Sequence, residues 1–154
     1  MNNKKRIVII GATSAIAEHC ARMWVQKQPT DLTLVGRDET RLERVATDLN
    51  VRSPQSEFRV MQADFLDPRA IDDLTQKIFA LGNVDVVLIA HGSLPEQTDC
   101  QDDLKACHEA LEINGISPVL YAEAFAKHMA KANHGTIALI GSVAGDRGRK
   151  SNYV

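Results

Sequence analysis

The chain has 154 residues, enough for one domain with its own core, and a net charge of -2 from 18 basic and 20 acidic side chains that intermingle along it. That balance excludes a basic face for nucleic acid, and no run approaches the roughly 18–20 apolar residues of a membrane span. The first apolar run, residues 7–10, is too short for a signal peptide, and the three cysteines, Cys20, Cys100 and Cys107, fit reduced cytoplasmic thiols better than a disulfide framework.

Apolar runs alternate with amphipathic stretches. Residues 7–10 read as a buried strand. Residues 12–28 read as a helix in which Ile16, Cys20 and Trp24 fall at spacing four on one face, with Met23 beside them; Pro29 ends it. Residues 32–35 are a second strand. Asp38 is placed to cap a helix whose Leu42, Val45, Ala46 and Leu49 form an apolar stripe. Residues 58–62 are a third strand. Asp67-Pro68 opens a helix with Ile71, Leu74, Ile78 and Leu81 inward, and Gly82-Asn83 stops it. Residues 84–90 are almost wholly apolar, the mark of a strand buried on both faces. A loop with Gly92 and Pro95 leads to a long helical region, residues 102–131, interrupted at Gly115 and Pro118. His134-Gly135 ends it, and residues 136–140 give a fifth strand.

Each crossover is long enough to be a helix, so the pattern predicts an α/β domain. Its core is a doubly wound parallel sheet in order 3-2-1-4-5 with helices on both faces. No repeat, low-complexity stretch or linker divides residues 1–154, which are expected to form one domain. No His or Cys pair stands at zinc-ligand spacing, so no metal site is expected; His19, His108, His128 and His134 read as helix or loop residues.

Ligands of doubly wound sheets bind at the carboxyl ends of the strands. There the first strand runs into Gly11-Ala12-Thr13-Ser14-Ala15-Ile16-Ala17. Such a turn presents unpaired N–H groups at the positive end of a helix, which attract phosphate. Gly11 permits the turn, Ala15 and Ala17 let a pyrophosphate and the strand come close, and Thr13 and Ser14 add hydroxyl donors. Taken alone, the segment also fits a plain strand-to-helix connection.

Together with the rest of the chain, the turn resembles that of the short-chain dehydrogenase/reductase family, across all 154 residues. Gly11 to Ala17, including Ile16, looks like the family's Gly-rich loop. Asp64-Phe65 follows the third strand, like the family's Asp near the adenine. Ile89-Ala90-His91-Gly92 stands where the family has Asn-Asn-Ala-Gly. Asn114 resembles the Asn of the catalytic helix, and Ser142, in Gly141-Ser142-Val143-Ala144-Gly145, the catalytic Ser. The resemblance implies a Rossmann-like fold that binds NAD(P) through Gly11, Thr13, Ser14, Ala15, Ile16, Asp64, Phe65, Ala90, His91 and Gly92. The departures mark a divergent branch. Ala15 and Ala17 replace Gly, Ala90 lacks the hydrogen bonds of an Asn, and His91 is bulkier than Ala and expected to line the nicotinamide pocket.

The second strand leads into Gly36-Arg37-Asp38. NAD-binding folds often carry an acidic residue here for the ribose hydroxyls, whereas the fork of Arg37 suits the extra phosphate of NADP. NADP is therefore favoured over NAD, the alternatives being a solvated Arg37 and an Asp38 that serves only as a helix cap.

The resemblance implies hydride transfer between nicotinamide and a small carbonyl or alcohol substrate, in a homo-oligomer. In the family a Tyr exchanges the proton, a Lys lowers its pKa, Ser holds the substrate oxygen and Asn supports a water relay. Ser142 and Asn114 match two of these, although Ser142 also fits a turn and Asn114 a kink beside Gly115. No Tyr-x-x-x-Lys occurs. Tyr153 stands eleven positions after Ser142, nearer than the family's Tyr to its Ser, and lacks the Lys. The chain is thus expected to be a truncated portion of such an enzyme, with an inactive dinucleotide-binding module as the alternative.

Overall fold

The computed structural model describes residues 4–151; Tyr153 lies outside the described residues. Five parallel strands form one sheet in the expected order β3-β2-β1-β4-β5. They are β1 (Lys5–Ile10), β2 (Thr30–Gly36), β3 (Glu57–Gln62), β4 (Val86–Ile89) and β5 (Thr136–Leu139). Ile7 pairs with Leu32 on one side and Val86 on the other, and Ile9 with Leu34 and Leu88. Because side chains alternate along a strand, Ile7 and Ile9 face one layer and Val8 and Ile10 the other.

The layers are built by different helices. α1 (Ala15–Lys27) and α2 (Glu39–Arg52) cover Ile7, Ile9, Leu32 and Leu34. α3 (Pro68–Ala80) and α6 (Ser117–Ala132) cover Val8, Ile10, Val35 and Val87. Chain direction across the sheet reverses between β1 and β4, the switch point where a crevice opens in such sheets.

Local chemistry explains most boundaries. Asp38 caps α2, its carboxylate accepting the Arg41 N–H at 3.0 Å, and Asp67 caps α3 ahead of Pro68. The strand at β4 is shorter than the apolar run, yet Asp85 N–H still bonds the Arg6 carbonyl (2.9 Å) and Ala90 N–H that of Ile10 (2.8 Å).

Three expectations need correction. α1 begins at Ala15, not Ala12, and its buried face is Ala17, Ala21 and Val25. Cys20 and Trp24 pack partly, while Ile16 and Met23 are 55% and 58% exposed. Small Ala17 and Ala21 let the helix lie close on the strands, and the larger residues flank that line. Leu81 likewise points outward, at 53% exposed. The long helical region is divided into α4 (Gln97–Asp102), α5 (Leu104–Leu111), a π-helical turn (Glu112–Ile116) and α6. Asp103 leaves helical geometry (φ -128, ψ 108) and caps α5 through the Lys105 N–H, and the π turn carries Asn114 and Gly115.

α6 has two distinct faces. Phe125 is fully buried beside Phe79, whereas Val119 is 64% exposed. Phe125→Ala is expected to cost about 3–5 kcal/mol through transfer loss and a cavity. Val119→Ala is expected to stay within about 0.5 kcal/mol. Urea unfolding of both variants checks this, and similar losses would contradict the assigned faces.

Candidate functional site

At the switch point the chain turns tightly. Gly11 and Ala12 both donate to the Val35 carbonyl, at 2.9 and 3.0 Å, and Ser14 N–H returns to the Gly11 carbonyl at 3.0 Å. Gly11 has φ +83, and a Cβ there would lie 2.6 Å from the His91 nitrogen, so only glycine fits. Ser14 caps α1, its Oγ accepting the Ala17 N–H at 3.2 Å, which leaves its own O–H free to donate. Among the described residues, no acceptor takes the N–H groups of Ala15 and Ile16, the orphan donors of a first helical turn.

Beside this turn lies a cavity of about 250 Å³. Of the residues singled out in the sequence, Gly11, Thr13, Ser14, Arg37, Phe65, Ala90, His91 and Gly92 line it. Ala15 and Ile16 stand outside its wall on the first turn of α1. Asp64 lines an adjoining cleft of about 470 Å³ that shares Arg37, Phe65 and Ile113 with the cavity. Joined, the two spaces fall within the roughly 300–1,000 Å³ usual for small-molecule sites. Ser142 and Asn114 line neither.

The cavity also holds Gly36, Asp38, Arg41 and Ile113, which sequence reading did not assign to it. Arg41 was legible in principle, because a helix capped by Asp38 puts its first turn at the mouth of β2. Arg37 lies over the Phe65 ring, 5.9 Å from its centroid. Neither Arg37 nor Arg41 has a carboxylate partner among the described residues. Asp64 turns an oxygen onto the Leu66 N–H at 2.9 Å.

Beneath Phe65 is an aromatic floor. His91 lies 4.6 Å from Phe65 and 5.5 Å from Tyr121, centroid to centroid. Ser117 Oγ donates to the Phe65 carbonyl at 2.6 Å, so its oxygen accepts from His91 Nε2 at 2.8 Å. That network puts the imidazole proton on Nε2 and leaves Nδ1 a buried acceptor without a partner. Burial first, and then Arg37, hold the imidazole down from 6.5 to about 4. Burial, with Asp64 second, pushes the Tyr121 phenol above its usual value.

Asn114 is engaged at both ends: its Nδ2 donates to the Ser93 carbonyl (2.9 Å) and its Oδ1 accepts the Ser93 N–H (2.8 Å). Ser142 is exposed just past β5, where its Oγ accepts the Ala144 N–H at 3.1 Å. Among the described residues, no group of three or more His, Cys, Asp or Glu side chains is placed to hold a metal ion, and no helix is long and apolar enough to cross a membrane.

Comparison with known proteins bears on the family and the fold. The family model for short chain dehydrogenases matches residues 5–154. An uncharacterized oxidoreductase of Streptomyces coelicolor is 25% identical over 150 residues, covering 97% of this chain and 59% of its own length. A short-chain type dehydrogenase/reductase from Mycobacterium ulcerans superposes with a TM-score of 0.86 at 18% identity, covering 96% of this chain and 55% of its own. NAD+-bound xylitol dehydrogenase superposes at 0.85 with 20% identity, covering 99% and 58%. The two structural likenesses establish the common fold, and the chain spans somewhat over half the length of each relative.

The neutral His91 sets a pH dependence. Its imidazole takes up a proton near pH 6.5 when unfolded and near 4 when folded. The unfolded state therefore binds more protons between these values. The stability that neutral His91 contributes is complete above pH 6.5 and lost as the pH falls to 4. An NMR titration should place the His91 midpoint near 4; a midpoint near 6.5 would contradict the enclosed, uncharged ring.

Proposed function

This chain belongs to the short-chain dehydrogenase family, and we propose that it forms the cofactor-binding part of an NADP-dependent oxidoreductase acting on a small carbonyl or alcohol. The observation that carries this reading is the pairing of Arg37 with Asp38 at the end of β2. Arg37 lines the cavity with no ion-pair partner among the described residues, while Asp38 spends one oxygen capping α2. The guanidinium suits a 2′-phosphate better than a half-engaged carboxylate suits a ribose diol.

The residues present fit a dinucleotide. The free N–H groups of Ala15 and Ile16 and the hydroxyls of Thr13 and Ser14 would hold the pyrophosphate. Asp64 and Phe65, with the backbone of Ala90, His91 and Gly92, would flank the adenosine and the inner ribose. Bound there, the nicotinamide supplies or accepts hydride. Ser142 would hold the substrate oxygen. Asn114 has both side-chain groups on Ser93, so it would act by fixing the loop after β4, and a water relay would need its backbone carbonyl.

The exposed Ile116 of the π turn and Val119 of α6, together with β5 paired on one side only, support a homo-oligomer. Three unpaired thiols support the cytoplasm as its compartment.

One observation favours a second reading, a dinucleotide-binding module without turnover. Tyr121, the one tyrosine among the described residues, is buried in the floor with its phenol held protonated, and Phe125 rather than Lys stands four positions on.

In titrations with each cofactor, NADP+ should bind more tightly than NAD+. Arg37→Ala should narrow the gap by roughly 10- to 100-fold, the worth of one charge-assisted hydrogen bond. Equal affinities in the unmutated protein would refute the NADP reading. The 154-residue polypeptide should bind cofactor yet show no dehydrogenase or reductase turnover. A longer form supplying Tyr-x-x-x-Lys should be active and should lose most of that activity on Ser142→Ala. Turnover by the short polypeptide, of verified mass, would show that it carries its own acid–base residue.

A further inference from the structure

We propose that His91 and Ser117 are positioning residues for dinucleotide binding: their hydrogen bond is a clasp that holds Phe65, on the adenosine side of the cavity, at a set distance from the Gly11 turn. The clasp rests on the dinucleotide reading above and serves NADP and NAD alike. Strand pairing does not set that distance. Phe65 follows β3 and His91 follows β4, and β2 and β1 lie between those strands. Three strand spacings amount to about 14 Å, yet the Phe65 and His91 rings meet with centroids 4.6 Å apart. The two segments therefore close over the ends of β2 and β1, and a contact outside the sheet must hold them there.

One hydroxyl supplies it. Ser117, 1% exposed at the start of α6, donates to the Phe65 carbonyl at 2.6 Å and accepts from His91 Nε2 at 2.8 Å. The π turn leads into this residue, and the Ser117 N–H reaches back to the Glu112 carbonyl at the start of that turn. His91 in turn abuts the phosphate turn, its Cβ 2.8 Å from where a Cβ on Gly11 would stand. Gly11, His91, Ser117 and Phe65 thus form one chain of contacts across the cavity wall. A second observation separates a clasp from simple filling. His91 Nδ1 is a buried acceptor with no partner among the described residues. An apolar ring would occupy the space beneath Phe65 without that penalty. What the imidazole adds over such a ring is the Nε2–H that Ser117 accepts.

The test is isothermal titration of NADP+, NAD+ and ADP, all of which carry adenosine diphosphate. They are titrated into the unmutated chain and into His91→Ala, His91→Gln, His91→Phe and Ser117→Ala, each at a temperature where circular dichroism shows that variant folded. His91→Ala should weaken all three ligands by a similar factor, about 5- to 10-fold, the worth of one hydrogen bond. His91→Gln keeps an N–H at similar reach and should recover most of the loss; His91→Phe keeps a ring without the donor and should not. Ser117→Ala should weaken binding at least as much as His91→Ala, and combining the two should change the affinity by less than about twofold beyond Ser117→Ala alone. The proposal is overturned if His91→Ala leaves all three affinities unchanged, or if losses from the two positions simply add. It is overturned too if His91→Phe restores binding as well as His91→Gln, which would reduce the side chain to packing. Should Ser117→Ala fail to fold, the comparison of His91→Gln with His91→Phe still decides. If the unmutated chain binds none of the three ligands, the dinucleotide reading itself fails, and the clasp falls with it.

Discussion

Val35 offers one carbonyl to two consecutive N–H groups, Gly11 at 2.9 Å and Ala12 at 3.0 Å, and that fork bends the chain as it leaves β1. Backbone donors buried here would be costly if unpaired, so the bend is held by the strand beside it. It brings Gly11 against the backbone of His91 so closely that a Cβ would overlap it. β1 and β4 are neighbours in the sheet, but their crossovers leave in opposite directions, one toward β2 and the other toward β5. The cavity is what lies between the two departures. Its depth is set by the absence of one side chain.

The second determinant is the floor. α6 reaches across the sheet's end to support the segment after β3: Ser117 holds the Phe65 carbonyl, and Tyr121 Oη lies 3.5 Å from that of Asp64. Phe65 is thus gripped through its backbone by α6 and through its ring by His91 and Tyr121, with Arg37 above. His91 is held as a neutral ring, since burial disfavours its charged form and Arg37 stands nearby. A residue larger than the family's Ala therefore packs as a brace beneath Phe65. Its bare Nδ1 is the single polar cost of that arrangement.

The sheet order was legible because five apolar runs alternate with capped amphipathic stretches, and right-handed crossovers leave few ways to arrange them. Asp38 and Asp67 announced their helices because a carboxylate before a helix has one main use. The α1 stripe misled because spacing four from Ile16 ignores residue size: Ala17 and Ala21 give closer contact with the strands than Ile16 or Met23 could. The π turn was invisible because one extra residue in a turn has no fixed composition, although Gly115 hinted at an irregularity. Arg41 and Ile113 were missed because they reach the site from helices, whereas motif reading searches strand ends. The Ser117–His91 network joins positions 26 apart, and nothing in either residue's neighbourhood advertises the other.

These features divide the site into a part that backbone geometry fixes and a part that exposed charge tunes. Gly11, the first turn of α1 and the Phe65 floor are held by short hydrogen bonds and burial, and on the proposed reading they would meet what every dinucleotide shares. On the proposed NADP reading, discrimination between dinucleotides would fall to the charged residues after β2, where Arg37, Asp38 and Arg41 are all exposed at the rim. An exposed ion contact is individually weak, because water screens it and a long side chain must be ordered to make it. Selectivity there would have to come from number and balance, two guanidinia with no ion-pair partner among the described residues against one carboxylate that is half spent on a helix cap. Such a rim would be retuned by one substitution without disturbing the fold, since neither guanidinium makes a hydrogen bond or ion pair among the described residues. The rigid part lacks that freedom: any side chain at position 11 would overlap the His91 backbone.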